Sequence, residues 1–355
     1  MGMTINSGIS GGSNLRDRMG AQVNGRLWAA DFRSEQYWLG NDAVAFGDLV
    51  TFSRAEALTY FDPTDSTLKP SPVNSPVFFD PKGRRGLNVS SVRGSLLAEL
   101  PSAAGTYTNT YAASRDNTAC ILMVFGKPGA WLKVSGDLVA TFPDSPLEGG
   151  RFKAIYLTLK PTGTSRSVKV EYNDKVVGWK LGIDPFEEFG GASFGGGSGT
   201  VPTVGVSAAG LAALNAADVF TIRGDFVPMP HRGGLPDWGR SFSVRDGDGN
   251  GIFLSMTKGA WRLASVQAVA AGGQAVKTWD MPIARYLLAD ARSEALTFAI
   301  SINKSAETVE MRTSAGRVLK GIPLPAMSAI TAVETGRHGT TLPKMSVRYL
   351  AAHTL

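Results

Sequence analysis

From about residue 118 to the end of the chain, apolar and polar residues alternate with a period of two. That spacing sets one side of a β-strand against a core and the other against water. FKAIYLTLK at 152–160 and SVKVEYNDKVVGWKL at 167–181 predict strands. The second reads as a hairpin reversing at Asn173-Asp174, since Asn and Asp tolerate the positive φ of tight turns. Further on, FTIRGDF, SFSVRD, GIFLSMT, WRLASVQ, LTFAISIN, TVEMRTS and MSVRYLAA are short strands separated by DGDGNG, AAGG, NKSAE and similar turns. One stretch breaks the rhythm: SAAGLAALNAAD at 207–218 predicts a short helix ended by Asn215 or Asp218. Many short strands with regular turn signals indicate an antiparallel sandwich or barrel.

An internal echo divides the chain. ILMVFGKPGAWL at 121–132 parallels IFLSMTKGAWRL at 252–263, and SVKVEYNDKVVGWKLG at 167–182 parallels ETVEMRTSAGRVLKGI at 307–322. The same order at similar spacing predicts two related sandwiches. The expected layout is an N-terminal arm at 1–36, an extended anchoring segment at 37–99 and a first sandwich at 100–195. A linker at 196–215 and a second sandwich at 216–355 complete it. The small, glycine-rich start (MGMTINSGISGGSNLRDRMG) and GGASFGGGSGT at 190–200 fit an arm and a linker.

Composition narrows the function. With 43% hydrophobic and 19% charged residues, the 355-residue chain is globular and long enough for two or three domains. Its 42 glycines and 19 prolines suit strands joined by tight turns. The net charge of +6 is spread out, KGRR at 82–85 being the densest basic group, so a solvated surface outweighs nucleic-acid binding. One cysteine, Cys120, excludes an internal disulfide framework and sits in an apolar run as a small buried side chain. The N-terminus lacks the apolar core of a secretory signal, Asn6 breaks the myristoylation pattern, and no apolar run approaches a membrane span. Neither membrane insertion nor a cofactor is expected.

The candidate chemistry is sparse. Asp246, Asp248 and Asn250 in DGDGNG alternate as the start of a calcium loop does, but Thr257 stands where an EF-hand needs its bidentate Glu. A hairpin turn is the reading, with calcium the alternative. No hydrolase elbow, zinc-protease helix or phosphate loop occurs, so no enzyme is indicated and no catalytic residue is assigned. Asp184 with Glu187-Glu188 is a carboxylate group of the kind glycosidases pair, without other support. Trp131, Trp179 and Trp261 fall in alternating strands and are expected in the core. Trp238, in a loop with His231, Asp237 and Arg240, is the candidate carbohydrate site: an aromatic face to stack on a sugar, with polar groups for its hydroxyls.

VTFSRAEALTYFDPTD at 50–65, followed by SPVFFDPKGRRGLNVSSVRGSLL, resembles a segment of bacteriophage structural proteins of tail and head-surface type, and of head spikes of phage-like gene transfer agents. The match runs through Phe52, Ser53, Arg54, Ala55, Thr59, Tyr60, Phe61, Asp62, Pro76, Phe78, Arg85, Gly86, Leu87, Arg93, Leu96 and Leu97. Ser90-Ser91 departs from it, standing where two acidic residues are usual. The resemblance implies an all-β chain: two antiparallel jelly-roll (concanavalin-like, laminin-G-like) sandwiches behind an extended arm and motif segment. It also implies a virion-surface location and other virion proteins, capsid or tail, as partners. A homo-oligomer and attachment to host surface polysaccharide go with that, a polysaccharide-degrading enzyme or a purely architectural decoration protein being the alternatives. Phe52, Arg54, Tyr60, Asp62, Arg85, Gly86 and Arg93 are then structural. Arg54 is expected to bond backbone carbonyls of the return segment between Phe78 and Leu87, with Asp62 capping the turn at 62–65.

Overall fold

Alternation of buried and exposed side chains organises the chain in this computed structural model. It describes residues 25–354 except 56, 63, 79–84, 90–96, 100–102, 113–118, 138, 143–152, 159–164, 183–192, 195–201, 229–238, 257–262, 270–274, 283–295, 314–317 and 337–344. The fold is all-β, and every strand pairing among the described residues is antiparallel.

The chain opens with β1 (Arg26–Asp31), β2 (Gln36–Leu39), β3 (Asp42–Val44), one helical turn α1 (Phe46–Leu49) and β4 (Val50–Ser53). Next come β5 (Leu58–Asp62), β6 (Thr67–Ser71) and β7 (Leu87–Asn88). The first sandwich holds β8 (Leu97–Glu99), β9 (Gly105–Ala112), β10 (Ala119–Gly126), β11 (Leu132–Gly136), β12 (Ala140–Phe142), β13 (Lys153–Thr158), β14 (Ser165–Tyr172) and β15 (Val176–Gly182). Its two sheets run β13-β10-β15-β8 and β12-β11-β14-β9. Val168, Val170 and Tyr172 of one and Val124, Val176 and Trp179 of the other are buried, and Tyr107 meets Trp179 edge-on at 5.3 Å between the sheets.

After β16 (Ser193–Phe194) follow β17 (Thr203–Val206), α2 (Ala208–Asn215), β18 (Val219–Pro228), β19 (Gly239–Asp246), β20 (Gly251–Met256), β21 (Leu263–Val269) and β22 (Ala275–Pro282). The chain ends with β23 (Leu296–Asn303), β24 (Thr308–Thr313), β25 (Val318–Pro323), β26 (Ile330–Gly336) and β27 (Met345–Thr354). The second sandwich pairs a nine-stranded sheet, β25-β24-β23-β18-β27-β1-β2-β3 with β7 against β27, with a seven-stranded sheet, β22-β21-β20-β19-β26-β17-β4. Phe226 and Phe298 of the first meet Phe242 of the second at 6.0 and 5.4 Å, within a core that includes Trp28, Phe220, Ile222, Val244 and Leu254.

Several expectations differ from this architecture. The arm and anchoring segment are not separate from the second sandwich: β1–β3 and β7 belong to one of its sheets and β4 to the other. The expected linker at 196–215 supplies β17, paired between β26 and β4, and the whole of α2. No hairpin forms at Asn173-Asp174: β14 pairs with β11 and β9, β15 with β10 and β8, so the turn arches from one sheet to the other. Burial drives this, because Tyr172 and Val176 on its two sides both point into the core. The echoed segments are not equivalent either. β10 and β11 lie in opposite sheets, whereas β20 and β21 pair directly, as do β24 and β25. The predicted helix is present: Ser207 caps α2, and Asn215 ends it by bonding the backbone of Ile330 on both sides.

Candidate functional site on the outer face of the nine-stranded sheet

The motif residues form a clasp. VTFSRAEALTYFDPTD is two strands in different sheets, β4 and β5, and the chain changes sheet at Arg54. Arg54 is buried, and its guanidinium donates to the Ser71 and Pro72 carbonyls at 3.1 and 2.7 Å and to the Ser71 hydroxyl at 2.7 Å. It therefore bonds backbone carbonyls, and among the described residues these lie at the end of β6, where the hairpin of β5 and β6 brings Ser71 back beside Arg54; residues 79–84 of the expected return segment lie outside the described residues. Phe52, half-buried, lies 5.9 Å beneath that guanidinium.

Asp62 caps its turn, accepting from the Thr64 amide at 2.8 Å, and also takes the Lys69 ammonium. Burial raises its carboxyl, but the bonds from Lys69 and Thr64 prevail and hold it below the usual carboxylate range. Tyr60 packs on Val77, while Phe61 reaches Phe125 of the first sandwich at 5.4 Å. Arg85 is exposed, 3.4 Å from Glu35. Gly86 passes so near β27 that a Cβ there would lie 2.5 Å from the Ser346 hydroxyl. Arg93 lies outside the described residues.

The two sites read from sequence fare differently. His231, Asp237 and Trp238 lie outside the described residues, as do Asp184 and Glu187-Glu188, and of Arg240 only its place in β19 is described. The DGDGNG segment is the predicted hairpin, joining β19 to β20 with Gly249 at φ +89°. Asp246 turns inward, and its carboxylate accepts from the amides of Asp248, Asn250 and Ser328 and from the Asn250 side chain at 2.8–3.0 Å. Both oxygens accept hydrogen bonds that close the hairpin, and Asp248, of the calcium alternative with Asp246 and Asn250, is exposed. Trp179 is buried as expected, but Trp131 is 45% exposed beside the 173–176 arch. Trp261 lies outside the described residues.

Sequence reasoning did not single out the outer face of the nine-stranded sheet. Trp28, Ala30, Ile222, Leu350 and Ala352 face the core, so their neighbours on β1, β18 and β27 face out. Register lines up one row across six strands: Arg312, Ala299, Arg223, Ala351, Ala29 and Trp38. Longer side chains cover Ala29 and Ala351, which are buried, while Ala299 is half-buried. The row on one side runs Glu310, Ser301, Thr221, His353 and Arg26, with Thr221 and Ser301 hydroxyls 2.8 Å apart. The row on the other side carries Asp225, Tyr349 and Asp31. Arg26 stacks on Trp38 at 5.4 Å.

The electrostatics of this face are uneven. Burial, then the charges of Arg223 and Arg26, push the His353 imidazole down to about 4, so it is neutral at pH 7. Arg223 is exposed and carries no ion pair with the described residues. Toward the Asp225 row, Arg33 is held by Asp31 at 2.8 Å and lies 3.9 Å from Asp225. Burial lifts Asp225 above the usual carboxylate range against the pull of Arg348 and Arg33, and its Oδ1 accepts no hydrogen bond from the described residues. Tyr349 is likewise raised by burial, opposed by Arg26 and Arg223. This face thus carries a half-buried aromatic ring, a cationic side and a buried carboxylate side. The only sequence signal was the alternation itself, which puts small and charged residues on the same face as in FTIRGDF and RYLAAH.

No family model matches the chain, and no curated protein matches it. Among solved structures, the carbohydrate-binding module of a Ruminococcus gnavus sialidase, bound to α2,6-sialyllactose, is 16% identical at TM-score 0.31. That match covers 42% of this chain and 84% of the module. The NanB sialidase of Streptococcus pneumoniae, as a K499G mutant, is 13% identical at TM-score 0.32, with 43% of this chain and 25% of that one covered. The extracellular region of zebrafish Gpr126 is 10% identical at TM-score 0.27, with 74% and 36% covered. Likeness at this level says nothing of what this chain binds.

Proposed function

We propose that this chain is a non-enzymatic carbohydrate-binding protein of a virion-type particle. In this reading the outer face of the nine-stranded sheet takes a saccharide of the host surface. The observation that carries it is Trp38 in the outer row, with Arg26 stacked on its ring at 5.4 Å and the exposed Arg223 and Arg312 farther along that row. A sugar ring needs an aromatic face to lie on and oriented donors for its hydroxyls, and Trp38 with these arginines offers both. The particle role rests on the resemblance of residues 52–97, whose clasp ties the first sandwich to the second through Phe61 and Gly86. Isothermal titration against purified host surface polysaccharide tests the binding: saturable heat is expected, with a tenfold or greater loss in Trp38→Ala. Heat that is saturable but unchanged in that variant excludes this face.

A second reading, a polysaccharide-degrading enzyme, is favoured by one feature. Asp225, with its raised carboxyl, and Asp31 flank Tyr349 on neighbouring strands and share Arg33. A buried acid with a raised carboxyl beside a second carboxyl group is an arrangement that suits general acid catalysis. New reducing ends released from the polysaccharide, and lost in Asp225→Asn, favour that reading; release no faster than with boiled protein excludes it.

A further inference from the structure

We propose that one end of the first sandwich is a second saccharide site, where the Trp131 ring carries an acidic sugar whose carboxylate is taken by the Lys127 and Lys175 ammonium groups. This site is on a different sandwich from the sheet face argued above and shares no residue with it. Burial alternates up to the start of β11, where Ala130 and Leu132 are buried and the tryptophan between them turns out to solvent. Its backbone is fixed all the same. The Trp131 amide donates to the Asn173 side-chain oxygen at 3.1 Å, and its carbonyl accepts from the Asn173 amide at 3.2 Å. The Asn173 side-chain nitrogen donates in turn to the Gly129 carbonyl at 2.9 Å. One asparagine thus locks the loop against the arch, while the ring meets no aromatic or cationic neighbour among the described residues. An aromatic platform held this way gives up little conformational freedom when a sugar ring stacks on it.

The two lysines stand at the same loop. The Ala130 amide closes a turn onto the Lys127 carbonyl at 3.0 Å, and the Lys127 amide donates to the Lys175 carbonyl at 2.9 Å. Both side chains therefore start from one bonded pair of backbone groups. Lys175 folds over Gly129, two residues before Trp131: a Cβ on that glycine would lie 2.8 Å from the ammonium nitrogen. Both lysines are exposed, and neither ammonium makes an ion pair or hydrogen bond with the described residues. Lys133 shares the outward face of β11 with Trp131, about 7 Å along the strand. Its cross-strand neighbour Glu171 is bonded to Lys169 at 2.9 Å, which holds that carboxyl below its usual range. Asp174, exposed in the arch, is the other described carboxylate here. Lys127, Lys133 and Lys175 against Asp174 leave the surroundings of Trp131 positive, which favours a sugar bearing its own negative charge. Each ammonium is a compact point donor on a flexible stem, so two of them close on one carboxylate without the fixed geometry of an arginine fork.

The probes are oligogalacturonate, alginate and hyaluronan, each with its carboxyl-reduced neutral counterpart, titrated calorimetrically into the whole chain. At least one carboxylated glycan is expected to bind saturably, its reduced form about tenfold or more weakly, the size of one charge-assisted contact. Trp131→Ala and Lys175→Gln are each expected to weaken that binding about tenfold or more or, where the other face takes the same glycan, to remove one site from the stoichiometry. Both side chains are exposed and the Trp131 bonds are made by its backbone, so both variants keep the melting temperature of the parent. Binding lost in Trp38→Ala but indifferent to Trp131→Ala overturns the inference and leaves the sheet-face reading standing. Equal binding of native and reduced glycans overturns the acidic class. Concentration-dependent association in sedimentation, lost in Trp131→Ala and without glycan binding, overturns the site in favour of a second copy covering the ring. Silence from every carboxylated glycan overturns it as well, while the titration with host polysaccharide still decides the other face.

Discussion

Arg54 shows how one residue sets the path of the chain. Its guanidinium satisfies two carbonyls and a hydroxyl at the end of β6, and its own amide is held by Asn74 at 2.9 Å. Arg54→Ala leaves those buried acceptors unmet and should cost about 2–3 kcal/mol, since an unsatisfied buried polar group loses its desolvation energy. Limited proteolysis between residues 54 and 75 should accelerate, with glycan affinity unchanged; cutting at the parent rate contradicts the clasp. His353 gives a second prediction at this scale. Its folded imidazole sits at about 4 against an ordinary 6.5, so below pH 6.5 the unfolded chain binds the proton better. Stability should therefore be full above pH 6.5 and fall as pH drops toward 4, and His353→Gln should flatten that slope in melting curves. Arg54 was legible in the sequence, because a charge inside an apolar run needs a partner. The carbonyls it chooses were not, since they depend on where β6 returns.

At the scale of elements, strands and turns were largely legible and their partners were not. DGDGNG announced a hairpin through its glycines, and Asp246 completes it from inside. Asp246→Ala should lower the melting temperature by several degrees for a loss of about 2 kcal/mol. Adding calcium or a chelator should leave the parent unmoved, and a calcium-dependent rise would restore the metal reading. NDKV at 173–176 carries an equally good turn signal yet arches between sheets. Period two tells which residues are buried, but not whether the next strand lies beside or opposite. The same limit made two echoed segments look like one duplicated unit. Ser207 capping α2 was readable, and Ser207→Ala should cost about 1 kcal/mol.

For the whole molecule, boundaries follow sheet membership rather than composition. β1, at the N-terminal end of the described chain, lies between β27 and β2, and Trp28 fills the core of the second sandwich. A fragment of residues 203–355 should therefore remain unfolded by circular dichroism and bind a hydrophobic dye, while addition of 25–90 restores it; a cooperative melt of the short fragment would contradict this. The outer row was invisible in the sequence because its residues come from six strands spread between Ala29 and Ala351, joined only by register. The most direct test of the account is a crystal structure with an oligosaccharide of the host surface bound. The account predicts a sugar ring against Trp38, with density continuing toward Arg223 on the outer face of the nine-stranded sheet. Density confined to the loop around Trp238 or to the seven-stranded sheet would contradict it.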